Sequence, residues 1–178
     1  MYRRVSGRDS YTENPEEPTF CQKVIEGLIT PEDLSIEDVK KMVQESAILA
    51  RTAVSFWRYE YMSDEVLLEL AKGIAQDTTL AYEAVYSDDS SWPDHYLTEA
   101  VVLELAKSVA RDPNLAYSAG IYWDKKYITN DVLLVLYEAA CRDAKFIYDI
   151  TIYWRPEYLK ILKALLPERI QRQRFLLK

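Results

Sequence analysis

The sequence predicts an all-α fold: an α-helical hairpin repeat stack, or short α-solenoid, of about four units plus terminal capping helices. Three observations predict it. Trp57, Trp92, Trp123 and Trp154, every tryptophan in the chain, each stand four residues before a tyrosine that is followed by an aliphatic residue, and are spaced by 35, 31 and 31. A period of that length marks stacked supersecondary units. Helix caps recur in step with it: Ser63, Thr98 and Thr129 precede one Leu/Val-rich run in each unit, and Asp77, Asp112 and Asp143 precede a second. Only four Gly occur in 178 residues and strand-type alternation is hard to find.

Taken in order, residues 19–29 read as a short first helix, with Cys21 on its apolar side. The box Ser35-x-x-Asp38 opens a helix over 36–45. Leu49-Ala50-Arg51-Thr52-Ala53 then aligns with Leu80 at a spacing of 31 and forms the second helix of a worn first unit. Three clearer units follow. In each, a hydroxyl N-cap and first-turn carboxylates, favoured there by the helix dipole, start a first helix that is apolar on more than one side and therefore buried between neighbours. Glu69 with Lys72 and Glu104 with Lys107 are spaced to pair on its one solvent stripe, which becomes Val135 and Glu138 in the last unit. The Asp cap, clearest in Asp112-Pro113, starts a second helix carrying small alanines. A linker with the Trp closes the unit. Residues 158–166, ended by Pro167, supply the closing helix. Residues 1–18 lack apolar periodicity and read as a mobile tail, 19–167 as the repeat domain and 168–178 as a basic tail.

Apolar residues at 49% and charged residues at 29% suit an ordinary globular chain, and no apolar run approaches the roughly 18 residues that span a bilayer. Residues 1–8 are basic without an apolar stretch behind them, so no signal peptide is expected and the expected location is cytoplasmic. The net charge of -7 conceals an acidic body: residues 1–8 hold three basic groups, 168–178 hold four basic and one acidic, and the remainder holds 15 basic and 28 acidic. Such a body repels phosphate backbones and attracts a basic protein surface, unless the charge serves solubility alone. The basic tail would neutralise the body, pair with a second copy, or touch nucleic acid weakly.

Chemistry-bearing constellations are sparse. His95 is the one histidine, which excludes a His-based metal cluster or a serine-type triad. Cys21 and Cys141 give neither a disulfide framework nor metal-ligand spacing, and Cys141 stands where the other units have Ala75 and Ala110, a small apolar filler. No glycine-rich phosphate loop is present. No catalytic, cofactor-binding or metal-binding residue is assigned, and the chain is expected not to be an enzyme.

Features shared by every unit read as stacking. The Trp and Tyr rings are large enough to seal each junction, the alternative being an exposed ladder for a cation or bases. The Tyr82, Tyr117, Tyr148 column reads either as packing between units or as a partner-facing stripe. The departure is an extra four residues between Leu80 and Trp92, a polar, acidic stretch that reads as a binding loop or a tolerated extension. The partner-binding candidates are therefore Asp88, Asp89, Trp92, Asp94 and His95 there, Tyr82 and Tyr117 on second helices, and Asp124 in the next linker.

The period of 31 to 35 residues, the Leu/Val-rich first helices and the Asp112-Pro113 turn resemble short HEAT-like or variant leucine-rich α-helical hairpin repeats over about residues 32–166. The resemblance implies a right-handed stack of hairpins with a binding role, and no functional residue is carried over from it. The function expected is a protein–protein interaction module whose acidic surface occludes a basic, nucleic-acid-binding surface of a partner, as virus-encoded anti-defence or immunity-type proteins do. An enzyme with carboxylate chemistry in a groove and a structural subunit of an assembly are the rivals.

Overall fold

A computed structural model describes residues 19–86 and 92–166, and all of its regular structure is helical. The N-terminal and C-terminal tails expected at 1–18 and 168–178 lie outside the described residues. Ten α-helices run in order: α1 (Phe20–Ile25), α2 (Ile36–Glu45), α3 (Ala47–Phe56), α4 (Asp64–Ile74), α5 (Thr78–Val85), α6 (Glu99–Val109), α7 (Pro113–Tyr122), α8 (Asn130–Ala140), α9 (Ala144–Tyr153) and α10 (Pro156–Leu165). None of them is long and apolar enough to cross a membrane.

The caps explain the boundaries. Ser35 and Asp38 form the expected box, with Asp38 Oδ2 accepting from Ser35 N–H at 3.2 Å. Ser63 and Thr98 accept from Val66 N–H (3.2 Å) and Val101 N–H (3.4 Å). Thr129 departs from its equivalents: its hydroxyl is buried and caps nothing. Asp77, Asp112 and Asp143 accept first-turn N–H bonds at α5, α7 and α9 as expected. Helix α1 is shorter than the 19–29 read from the sequence, because Gly27 adopts a left-handed φ of 69° and turns the chain.

The first helices α2, α4, α6 and α8 pack directly on one another in sequence order. Each of the second helices α3, α5 and α7 packs more extensively on the first helix that follows it than on the one that precedes it. The tighter antiparallel pair thus lies across the Trp linker, a shift from the hairpin read from the sequence. Gly73 of α4 permits a close approach of α2 and α3, since a Cβ there would stand 2.6 Å from Val43 Cβ and 2.8 Å from Ala50 Cβ.

At the edge opposite the Trp linkers, the turns are latched from one unit to the next. Gln76 Nε2 donates to Val43 C=O at 2.7 Å, Arg111 to Ala75 C=O, and Arg142 Nη1 to Ala110 C=O at 3.0 Å. Ala75 and Ala110 are C-cap residues, whose carbonyls have no partner within their own helix, so the following unit supplies the donor. The donors repeat at 35 and 31, like the tryptophans.

The capping aspartates also set the response to acid. Hydrogen bonds from Ser35 to Asp38, from Asn114 to Asp112 and from Lys145 to Asp143 hold all three carboxyls below the usual 3.8. Unfolded, these groups protonate near 3.8; folded, they resist until lower pH. Their stabilisation is complete above that value and is lost as pH falls through the folded values. The thermal midpoint should hold between about pH 7 and 5 and fall below about pH 4, and Asp112→Asn, which keeps a cap, should flatten that fall. A midpoint that rises below pH 4 in a thermal melt contradicts this.

Candidate partner-binding face

The first three Trp linkers are single 3-10 turns, Tyr59–Tyr61, Asp94–Tyr96 and Lys125–Tyr127. Trp57, Trp123 and Trp154 are the C-caps of α3, α7 and α9 in extended conformation; after Trp57 and Trp123 the linker does not begin the next helix early, whereas after Trp154 it does, α10 starting at Pro156 and carrying Tyr158. All four indoles are buried. Trp57 Nε1–H donates to Ile29 C=O (3.0 Å), Trp123 to Tyr82 C=O (3.3 Å) and Trp154 to Tyr117 C=O (3.2 Å). Each of these rings fills a junction and satisfies a carbonyl of an earlier unit.

Among the residues the sequence singled out, Asp88 and Asp89 lie outside the described residues. Trp92 is 2% exposed and packs edge-on to Tyr96 at 6.3 Å, so it is a core ring and not a contact residue; its polar neighbours in the insertion concealed this. Asp94 is exposed but spans to the next linker, accepting from Lys126 Nζ and from the Tyr127 hydroxyl, each at 2.5 Å. Those two bonds hold its carboxyl below the usual Asp range, and hydrogen bonds to Asp94 and then to Tyr127 push Lys126 up. His95 does not stand free in a loop. Its ring meets Tyr59 of the preceding linker at 4.4 Å and Tyr96 at 4.6 Å. Asp124 caps its own turn, accepting from Lys126 N–H at 3.1 Å. The linkers thus brace one another along one edge.

Tyr82 and Tyr117 are half-buried by the unit that follows each of them. The Tyr82 ring stacks on Tyr86 at 5.6 Å and faces Trp123 at 6.3 Å, and burial raises its phenol to a pKa of about 12. Tyr117 stacks on Phe146 at 4.3 Å, and burial, then the nearby Asp149 carboxylate, push its phenol up. Tyr148, in the same register, has no second helix after it among the described residues and is 58% exposed. Packing therefore claims part of each ring in this column, and the last ring is left outward.

A second aromatic column escaped the sequence reading. The residue before the Trp is Phe56, Tyr122 or Tyr153 in three units, exposed by 52%, 55% and 60%. Tyr86 reaches the Tyr122 ring edge-on at 6.1 Å, so these rings join the Tyr82 group across α5 and α7. The signal available was a fixed offset of one residue from a landmark already found.

Charge and aromatic surface are segregated. The first helices α2, α4, α6 and α8 carry ten carboxylates against four lysines, a net of -6. The second helices α3, α5, α7 and α9 carry two carboxylates against two basic groups, a net of zero. No large exposed apolar side chain belongs to a first helix among the described residues. A cleft of about 300 Å³ beside α1, lined by Val24, Ile29, Pro31, Phe56, Trp57 and Arg58 among others, holds no carboxylate. Comparison with known protein families, curated proteins and solved structures finds no match, so the functional reading rests on this chain's own residues.

Proposed function

We propose that this chain is a non-enzymatic docking module, a HEAT-like helical-repeat scaffold that binds a protein with a basic surface. The observation that carries the reading is the outward aromatic column Phe56, Tyr122 and Tyr153 on charge-balanced second helices of a chain whose net charge is -7. The two features divide the work. Long-range attraction from the acidic first helices raises the encounter rate with a cationic partner, and exposed tyrosines supply rigid, amphipathic contact area at small entropic cost.

First-turn carboxylates, Asp38, Glu65, Glu99 and Asp131 among them, recur at the start of each helix in the first-helix row. Such a row competes for the lysines and arginines with which a nucleic-acid-binding protein holds phosphates. This supports an antagonist that occludes that surface, in the manner of virus-encoded anti-defence or immunity-type proteins.

The test takes the partner isolated with this chain as bait and titrates the purified pair. Affinity should weaken by about tenfold or more between 50 and 500 mM salt, and the chain should displace labelled nucleic acid from the partner. Affinity indifferent to salt, or a stable ternary complex with nucleic acid, overturns the reading.

A further inference from the structure

We infer that the tyrosines of α5, α7 and α9, with Tyr86 at the end of α5, form an arginine-selective surface that takes an arginine-rich extended segment of the partner. The inference rests on the docking reading above and adds the chemistry of the contact. Tyr82 stacks on Tyr86 at 5.6 Å with an interplanar angle of 17°, and Tyr86 meets Tyr122 at 6.1 Å and 87°. The Tyr117 ring continues the patch onto α9 through Phe146, and Tyr153 stands outward beside it. The surface therefore presents rings at two orientations, with Tyr122 and Tyr153 the exposed ones, together with phenol oxygens that remain protonated well above neutral pH.

That combination suits a guanidinium better than an ammonium. Guanidinium is planar and weakly hydrated, stacks on aromatic faces and has donors left over for oxygen acceptors, whereas ammonium keeps its water. The patch also has carboxylates at its margin: Asp149 lies near Tyr117, and Glu83 follows Tyr82. One of these carboxylates already holds a guanidinium of the chain. Arg51, which occupies the register of Tyr82 in the first unit, reaches Glu83 at 3.3 Å.

Other occupants fit less well. A second copy would bring another net charge of -7 to the face, and single-stranded nucleic acid, which also stacks on tyrosine, brings phosphates. A wholly apolar segment would leave the phenol hydroxyls without partners.

The test measures fluorescence anisotropy of the full chain with a labelled peptide of six arginines separated by serines. Comparison probes are its lysine counterpart of equal charge and labelled oligo-dT. The arginine peptide should bind about tenfold more tightly than the lysine peptide. Tyr122→Ala combined with Tyr153→Ala should remove that preference, Tyr122→Phe should keep it, and all variants should melt like the parent because these side chains are exposed. Equal affinity for the two peptides overturns the arginine site and leaves docking by charge standing. Failure of both peptides to bind overturns both readings. Tighter binding of oligo-dT, or dimerisation in sedimentation that Tyr122→Ala abolishes, assigns the face to another occupant and overturns the inference.

Discussion

Gly120→Ala should destabilise the protein by ~3 kcal/mol, although the same change in an open helix stabilises by up to ~1 kcal/mol. The sign is decided by Trp154. A Cβ on Gly120 would stand 2.2 Å from Cε2 and 2.3 Å from Cζ2 of that indole, far inside contact distance. The indole is buried, donates to Tyr117 C=O at 3.2 Å and meets Tyr137 at 6.3 Å, so it cannot retreat without losing both. Either α7 and the ring part, or the ring leaves its rotamer. Denaturant titration should show a lower midpoint. Adding Trp154→Phe, which removes the outer ring of the indole with Cζ2 and shortens the side chain, should cost less than it does in the parent, because neighbouring substitutions that share one clash are not additive. A midpoint equal to or above that of the parent contradicts the packing at this junction.

Much of this architecture was legible in local chemistry. A capping box at Ser35, a hydroxyl or Asp before the other apolar runs and an Asp-Pro step each act within four residues, so α2, α4 to α7 and α9 start where the residues say they start; α8 starts after Thr129 as read, although that hydroxyl caps nothing. Ion pairs spaced for one helix face form as expected, Lys72 with Glu69 at 2.6 Å and Lys107 with Glu104 at 3.1 Å, but Glu69 is buried and not on a solvent stripe.

What was not legible depends on residues a full period away. Nothing local marks Arg111 and Arg142, whose partners are the carbonyls of Ala75 and Ala110 in the preceding unit. Trp92 sits in a polar stretch, and only the fold shows that its ring turns inward while Asp94 and His95 brace adjacent linkers. Periodicity also failed at the aromatic pair that precedes the linker. Tyr122 and Trp123 are adjacent and similar in size, and nothing in their composition says which faces water. The C-cap geometry does: the extended backbone at Trp123 carries the second ring back into the junction and leaves the first outside.

That adjacent pair supplies the second large effect and the most direct test. Trp123 is fully buried, and Trp123→Ala should cost ~4 kcal/mol through the cavity and the lost bond to Tyr82 C=O, a large share of the 5–15 kcal/mol that holds a domain of this size together. Tyr122→Ala, one residue earlier, should change stability by no more than ~0.5 kcal/mol. Measuring unfolding free energy and affinity for the basic partner on both variants separates the two roles. The account predicts that Trp123→Ala is lost from the stability axis, and that Tyr122→Ala folds like the parent but binds several-fold more weakly. Equal destabilisation by the two substitutions, or undiminished binding by a well-folded Tyr122→Ala, would contradict a stack sealed by its tryptophans and read by a partner through the rings beside them.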